Sequence, residues 1–304
     1  MTRLPDNSPP LLSPVIFGEV LFDCFEDGSR ILGGAPFNVA WHLQAFGVPP
    51  LFISRVGNDP AGDEVYARMR HWHLATCGLQ RDPDRGTGLV RVLLADGQPA
   101  FDIAAERAFD YIDSAAFPAL PPTALVYHGS LGVRHPTAAA ALGALLDTTQ
   151  AQVFLDINLR PPWWRREQVE KLLQRAHWVK INEDELHTLA PGPGTLEEKA
   201  EKFIARYELA LLLVTCGARG AFALDRAGSC HQVAPAGKTR VIDTVGAGDA
   251  FAAVSILGLL RAWPLPKTLA RAQQFASQIV GLRGALSHDL NLYAQLRSAW
   301  KKED

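Results

Sequence analysis

Cysteine is scarce in this sequence: four residues among 304, Cys24, Cys77, Cys216 and Cys230, none forming a C-x-x-C pair. That excludes a disulfide scaffold and a zinc ribbon and points to a reducing compartment. Neither sign of charge is in excess. Lys plus Arg number 30 against 32 Asp plus Glu, a formal net charge of -2, so no broad attraction to nucleic acid or anionic lipid is expected. Long apolar runs are missing too. The longest, at 209–214 and 250–260, fall short of the roughly 18–20 residues a bilayer span needs, and residues 1–13 hold no apolar segment of the secretory type. The expectation is a cytoplasmic protein with neither membrane nor nucleic-acid partners.

What the chain does have is 48% hydrophobic and 20% charged residues, enough to bury a large core. From the middle onward, short β-rich runs alternate with helical patterns. Residues 124–128, Val153 to Asn158, Trp178 to Asn182 and Leu211 to Thr215 read as strands. Between them, Pro136 to Leu146, Arg165 to Ala176, Glu183 to Leu189 and Thr195 to Tyr207 read as helices. Repeated βα units imply a mainly parallel sheet sandwiched between helices, and the near absence of alternation in the strands agrees with burial on both faces. Two segments break the rhythm. Residues 22–32 and 87–104 alternate around the turns Glu26-Asp-Gly-Ser and Asp96-Gly-Gln-Pro, as hairpins with one exposed face do. They are predicted to form a small β lid on a single domain spanning 1–304.

The strongest chemical signal is Asp243-Thr-Val-Gly-Ala-Gly-Asp-Ala-Phe, followed by an apolar run to Leu260 that reads as a buried helix. Glycines at such a helix start leave the N–H groups of Gly246, Ala247 and Gly248 without an i−4 carbonyl, which makes a ready anion site. Asp249 beside it is a poor phosphate ligand but a sensible acceptor for the proton of an attacking hydroxyl. Phosphoryl transfer to an alcohol follows from that pairing; a helix-capping role for Asp243 or Asp249 is the alternative. The second signal is Gly33-Gly-Ala-Pro-Phe-Asn, with Pro36 near a helix start and Gly47 at its end. Paired glycines admit a ligand close to the backbone, and Asn38 offers donors and an acceptor to sugar hydroxyls. Asp23 is read as ending an apolar strand, where open α/β sheets hold their ligands.

Taken together, Gly33-Gly34 and Asp243 to Phe251 resemble the two signatures of the ribokinase-like (PfkB) carbohydrate kinases, in matching order and separation. Asp156-Ile-Asn-Leu-Arg-Pro-Pro, Asn182-Glu-Asp-Glu and Thr215-Cys-Gly-Ala-Arg-Gly extend the resemblance over about 15–286. Gly33-Gly-Ala-Pro and Asn158-Leu-Arg-Pro-Pro look most like fructokinases. The resemblance implies a three-layer α/β/α core and an ATP-dependent sugar kinase, with Asp249 as general base and the 246–248 amides as anion hole. It further implies that Asp23, Gly33, Gly34 and Asn38 hold the sugar. Arg160 would approach either the acceptor or the phosphates. Asn182 and Glu185 would order Mg2+ mainly through water, Thr215, Gly217 and Gly220 would lie along the nucleotide, and Asp243 with the Val245 carbonyl would hold a monovalent cation such as K+. A homodimer through the lid is a further expectation. Ribose, 2-keto-3-deoxygluconate and nucleosides are the alternative acceptors, the keto acid requiring Arg160 or Arg107 for its carboxylate. A non-catalytic sugar sensor is the alternative from another class.

Other motifs are discounted. Gly237-Lys-Thr lacks the upstream glycine of a Walker loop, with Gln232 in its place, and Gly246-Ala-Gly meets Phe251 where a dinucleotide fingerprint wants glycine. His71 and His73 have the wrong spacing for a helical zinc site, and Ser130 lacks the first glycine of a nucleophile elbow. Trp163 and Trp164 read as core or interface seals.

Overall fold

The computed structural model describes residues 14–95, 98–121, 125–236 and 240–303. The expected Asp96-Gly97 turn, the opening residue of the strand at 124–128, Gly237 to Thr239 and residues 1–13 lie outside them. Seven strands run parallel: β1 (Val15–Phe17), β4 (Leu51–Gly57), β5 (Leu79–Asp82), β8 (Leu125–Gly129), β9 (Gln152–Asp156), β10 (Trp178–Asn182) and β11 (Leu211–Thr215). β12 (Ala221–Asp225) and β13 (Cys230–Val233) continue antiparallel, giving the order β13-β12-β11-β10-β9-β8-β1-β4-β5.

Helices cover both faces, as buried parallel strands require. On one side α1 (Ala35–Ala45), α2 (Pro60–His71), α7 (Ala247–Leu260), α8 (Leu265–Ile279) and α9 (Leu290–Glu303) pack into a core that includes Ile16, Phe37, Trp41, Met69, Val254, Phe275 and Trp300. On the other lie α3 (Pro136–Thr148), α4 (Arg166–Leu173), α5 (Glu183–Leu189) and α6 (Leu196–Arg206). The fold is the ribokinase-like α/β/α arrangement. Helix α7 is buried along Ala250 to Gly258, as expected of a helix apolar all round. Among the described residues, no helix is long and apolar enough to cross a membrane.

A second sheet of four strands has the order β3-β2-β6-β7, with β2 (Leu21–Phe25), β3 (Arg30–Gly33), β6 (Gly88–Ala95) and β7 (Gln98–Ile103). The two hairpins join through a parallel β2 and β6 pair. Asp23 therefore differs from the sequence expectation. It sits in the middle of a lid strand, not at the end of a main-sheet strand, because Gly18, Glu19 and Val20 carry the chain from β1 across to the lid.

Candidate active site

The helix that opens at Ala247 begins from Gly246, whose φ of 81° lies in the left-handed region. A side chain there would meet Ala285 Cβ at 2.3 Å, so only glycine fits both the turn and its surroundings. The Ala247 amide departs from the expected free set, reaching the Thr244 carbonyl at 3.4 Å as the turn tightens. The Gly246, Gly248 and Asp249 amides have no protein acceptor among the described residues. Three donors and the positive end of α7 thus face outward, the arrangement that binds an anion.

Helix α1 supplies the other wall. Gly34 caps it at φ 107°, with the Glu19 carbonyl only 2.8 Å from where a Cβ would stand, so the chain there runs against the crossover from β1. Pro36 occupies the second helical position. Asn38 Nδ2 donates to Asp249 Oδ2 at 2.7 Å, tying the two glycine motifs together across 211 residues of sequence. One turn on, buried His42 contacts the Ala285 carbonyl through Nε2 at 3.1 Å and the Tyr293 hydroxyl through Nδ1 at 2.9 Å. Burial pushes its pKa down to about 3, so the neutral ring holds the segment that packs on Gly246.

Two cavities meet at this helix start. One, of about 600 Å³, is bordered by Asp23, Gly33, Gly34, Asn38, Arg160, Asn182, Glu185, Asp243, Val245, Gly246, Gly248 and Asp249. Asp23 and Asp249 thus open onto one space. The other, of about 620 Å³, is bordered by Thr215, Gly217, Gly220, Ala247, Phe251, Ala276 and Val280. Thr215, Thr244 and Gly248 belong to both. The residues expected from the resemblance to bind acceptor, nucleotide or metal border one cavity or the other, whereas Arg107 borders neither.

Burial pushes the Asp249 carboxyl up to about 6; the Asn38 hydrogen bond opposes the rise and Asp156 adds to it. Asp249 is therefore more basic than an ordinary carboxylate. Asp23 is also raised to about 6, by burial and then by Asp243, with Arg160 pulling the other way. Asn182 and Glu185 form a reciprocal cap at the start of α5: Asn182 Oδ1 accepts from the Glu185 amide at 2.8 Å and Glu185 Oε2 from the Asn182 amide at 3.0 Å. Glu185 Oε1 accepts from the Leu159 amide at 2.8 Å. Each carboxylate oxygen keeps a lone pair. Asp243 clamps its loop, accepting from the Val245 and Gly284 amides, each at 3.0 Å.

Arg107 differs from expectation. It is absent from the border of the cavity that holds Asp23 and Asp249 and packs by Gly86 at the start of a 3-10 turn, Ala108–Tyr111. Ser130 donates to the Asn158 carbonyl at 2.9 Å. Trp163 packs beside Leu21, Val90, Ile103 and Leu131 under the stacked Arg134 guanidinium, sealing the root of the lid. His71 and His73 are exposed, and no metal-ligating cluster occurs among the described residues.

Three buried groups of the cavity that holds Asp249 were given no role from sequence: Glu19, Asp156 and Lys180. Their signal was available as charges at the end of, or inside, otherwise apolar strands, such as the lysine of Trp178-Val-Lys-Ile-Asn. The α8 side of the second cavity, Gln273, Ala276 and Ser277, carries no motif.

The fructokinase of Escherichia coli is 30% identical over 258 residues, covering 80% of this chain and 83% of its own. Fructokinase-1 of Oryza sativa subsp. japonica is 32% identical over 262 residues, covering 78% and 80%. Among solved structures, a double mutant of the Vibrio cholerae O395 fructokinase in fructose, ADP and potassium ion bound form superposes with a TM-score of 0.82 at 25% identity, covering 95% of this chain and 100% of that one. The family model described as pfkB family carbohydrate kinase matches residues 24–290. The chain belongs to the pfkB family of carbohydrate kinases, phosphotransferases with an alcohol acceptor.

Proposed function

We propose that this protein transfers the γ-phosphoryl group of ATP to a primary hydroxyl of a neutral monosaccharide, fructose being the favoured acceptor. The observation that carries this reading is the junction itself: a half-buried carboxylate, Asp249, beside unpaired helix-start amides, in the cavity that also holds Asp23, Asn38 and the 33–34 glycines.

The acceptor lies on Asp23, Gly33, Gly34 and Asn38, with Arg160 beside Asp23. Asp249 takes the hydroxyl proton as the oxygen attacks phosphorus. The Gly246 and Gly248 amides and the α7 dipole meet the charge spread over the phosphoryl oxygens, which matters more than covalent help in a loose transition state. Ala247 belongs to this turn, though its amide leans toward Thr244. The base and sugar of ATP lie along Thr215, Gly217 and Gly220. The lid roof of Val90, Val92 and Ile103 excludes water, a competing nucleophile, from the bound acceptor.

Six acidic residues border the acceptor cavity, against Arg160 and Lys180 as its basic ones. That balance disfavours a carboxylated acceptor. The likeness to fructokinases, one of them named for its fructose-bound form, supports the ketohexose.

Asn182 and Glu185 suit Mg2+ held through water, since both Glu185 oxygens already accept a backbone amide and keep one lone pair each. The metal, when bound with ATP, neutralises the phosphate oxygens. Asp243 shapes the loop whose Val245 carbonyl would face K+.

A panel of fructose, ribose, 2-keto-3-deoxygluconate and adenosine, assayed with ATP and Mg2+, tests the reading. The highest kcat/KM is expected with fructose. Preference for the keto acid would overturn the neutral acceptor, and no turnover with any sugar would overturn the kinase assignment of the site.

A further inference from the structure

We propose that Lys180, in the floor of the acceptor cavity, donates to the phosphoryl group in transit and neutralises its charge alongside the α7 amides. This rests on the phosphoryl-transfer reading above and adds to it a cation supplied by the sheet.

Lys180 and Asp156 are register partners on β10 and β9, so their side chains rise from the same face. Val179 and Ile181 point the other way, into the core beneath α4, α5 and α6. Nζ donates to Asp156 Oδ1 at 2.7 Å, with the two side chains only 8% and 4% exposed. Asp156 Oδ2 receives the Tyr127 hydroxyl at 3.2 Å, so this carboxylate is fixed by two protein donors. An ammonium carries three hydrogens. One is used here, and the other two have no acceptor among the described residues.

The position of Nζ says where those two donors are needed. A methyl group on Gly248 would come within 3.3 Å of it, which sets the ammonium against the first turn of α7. A cation at the positive end of a helix is unfavourable unless an anion lies between them. A phosphoryl group bound at the α7 amides would supply that anion. As a structural device alone, a buried ion pair adds little, because apolar residues of similar volume are commonly as stable.

In the step itself the acceptor oxygen forms the new P–O bond and the bond from the γ-phosphorus to the bridging oxygen breaks. The electron pair leaves with ADP, and the hydroxyl proton passes to Asp249. Lys180 keeps its protons throughout.

The test is the double variant Lys180→Met/Asp156→Asn, which removes both charges together and leaves no carboxylate unpaired. With its circular dichroism and ADP affinity close to those of the unaltered protein, kcat is expected to fall by about 10²–10³, the usual cost of one lost transition-state donor. A folded double variant with kcat within about threefold of the unaltered protein overturns the inference alone. Absence of sugar-dependent ADP release by the unaltered protein overturns the kinase reading and this inference with it. A structure of the unaltered protein with ADP, aluminium fluoride and fructose reads the contact without mutation. Nζ within about 3.2 Å of a fluoride supports the proposal, and separation beyond about 5 Å contradicts it.

Discussion

The two cavities that share Thr215, Thr244 and Gly248 are nearly equal in size, about 620 and 600 Å³, and opposite in character. The cavity proposed for the nucleotide is walled by small and apolar residues such as Val241, Phe251, Ala276 and Val280, with no acidic or basic side chain on its border among the described residues. The cavity proposed for the acceptor holds Glu19, Asp156 and Lys180 buried, and Asp23 and Asp249 half-buried, beneath Val90, Val92 and Ile103 of the lid. In the proposed reading, one end takes a flat ring by shape and the other arranges charge that burial makes costly. Changes at the first should therefore alter affinity, and changes at the second should alter rate, with the α7 start as the hinge between the two behaviours.

The sharpest break should come from Asp249→Asn. Sugar-dependent ADP release is expected to fall by about 10²–10⁴, the usual worth of a general base, while calorimetry shows both substrates still bound. Retained turnover would remove Asp249 as base. Gly246→Val should follow, because a side chain at φ 81° strikes Ala285. A drop in kcat of about 10²–10³ with a lower melting temperature is the expected result, and an unchanged rate would disconnect the helix start from the chemistry. On the nucleotide side, Ala276→Phe should raise KM for ATP by about tenfold and leave kcat unchanged, the mark of lost uniform binding. A fall in kcat instead would erase the distinction between the cavities.

The pH profile probes the cost of the buried charge. Asp249 must be ionised to accept a proton, so kcat/KM should lose about tenfold per unit below its pKa of about 6 and level off above it. Stability runs the opposite way. A carboxyl whose folded pKa exceeds its unfolded value of 3.8 binds more protons in the native state, so stability declines as pH rises from 3.8 through about 6. For Glu19, raised by burial to about 7 from 4.5, the decline runs on to about 7. Glu19→Gln should consequently melt about 2–4 °C higher than the unaltered protein at pH 8, with the gain shrinking toward pH 4. No gain at pH 8 would show that Glu19 is not buried as a charge.

Local chemistry made much of this legible in the sequence. The parallel sheet followed from strands such as Leu211 to Val214, apolar on both faces, and the open start of α7 from two glycines ahead of an apolar helix. Asp23 and Asn38 were visible as residue types, but not the lid strand that carries the first or the bond from the second to Asp249, since both depend on where distant segments cross. Lys180 was hidden because its meaning lies in register with Asp156 on a neighbouring strand. The α8 wall of the second cavity was hidden because small lining residues such as Ala276 and Ser277 leave no motif.

The most direct test is a structure of this protein with fructose and a non-hydrolysable ATP analogue. The account predicts the acceptor hydroxyl within about 2.6–3.2 Å of an Asp249 carboxylate oxygen, and the γ-phosphate facing the Gly246 and Gly248 amides. A sugar whose hydroxyl turns away from Asp249, or a γ-phosphate bound elsewhere than the start of α7, would contradict it.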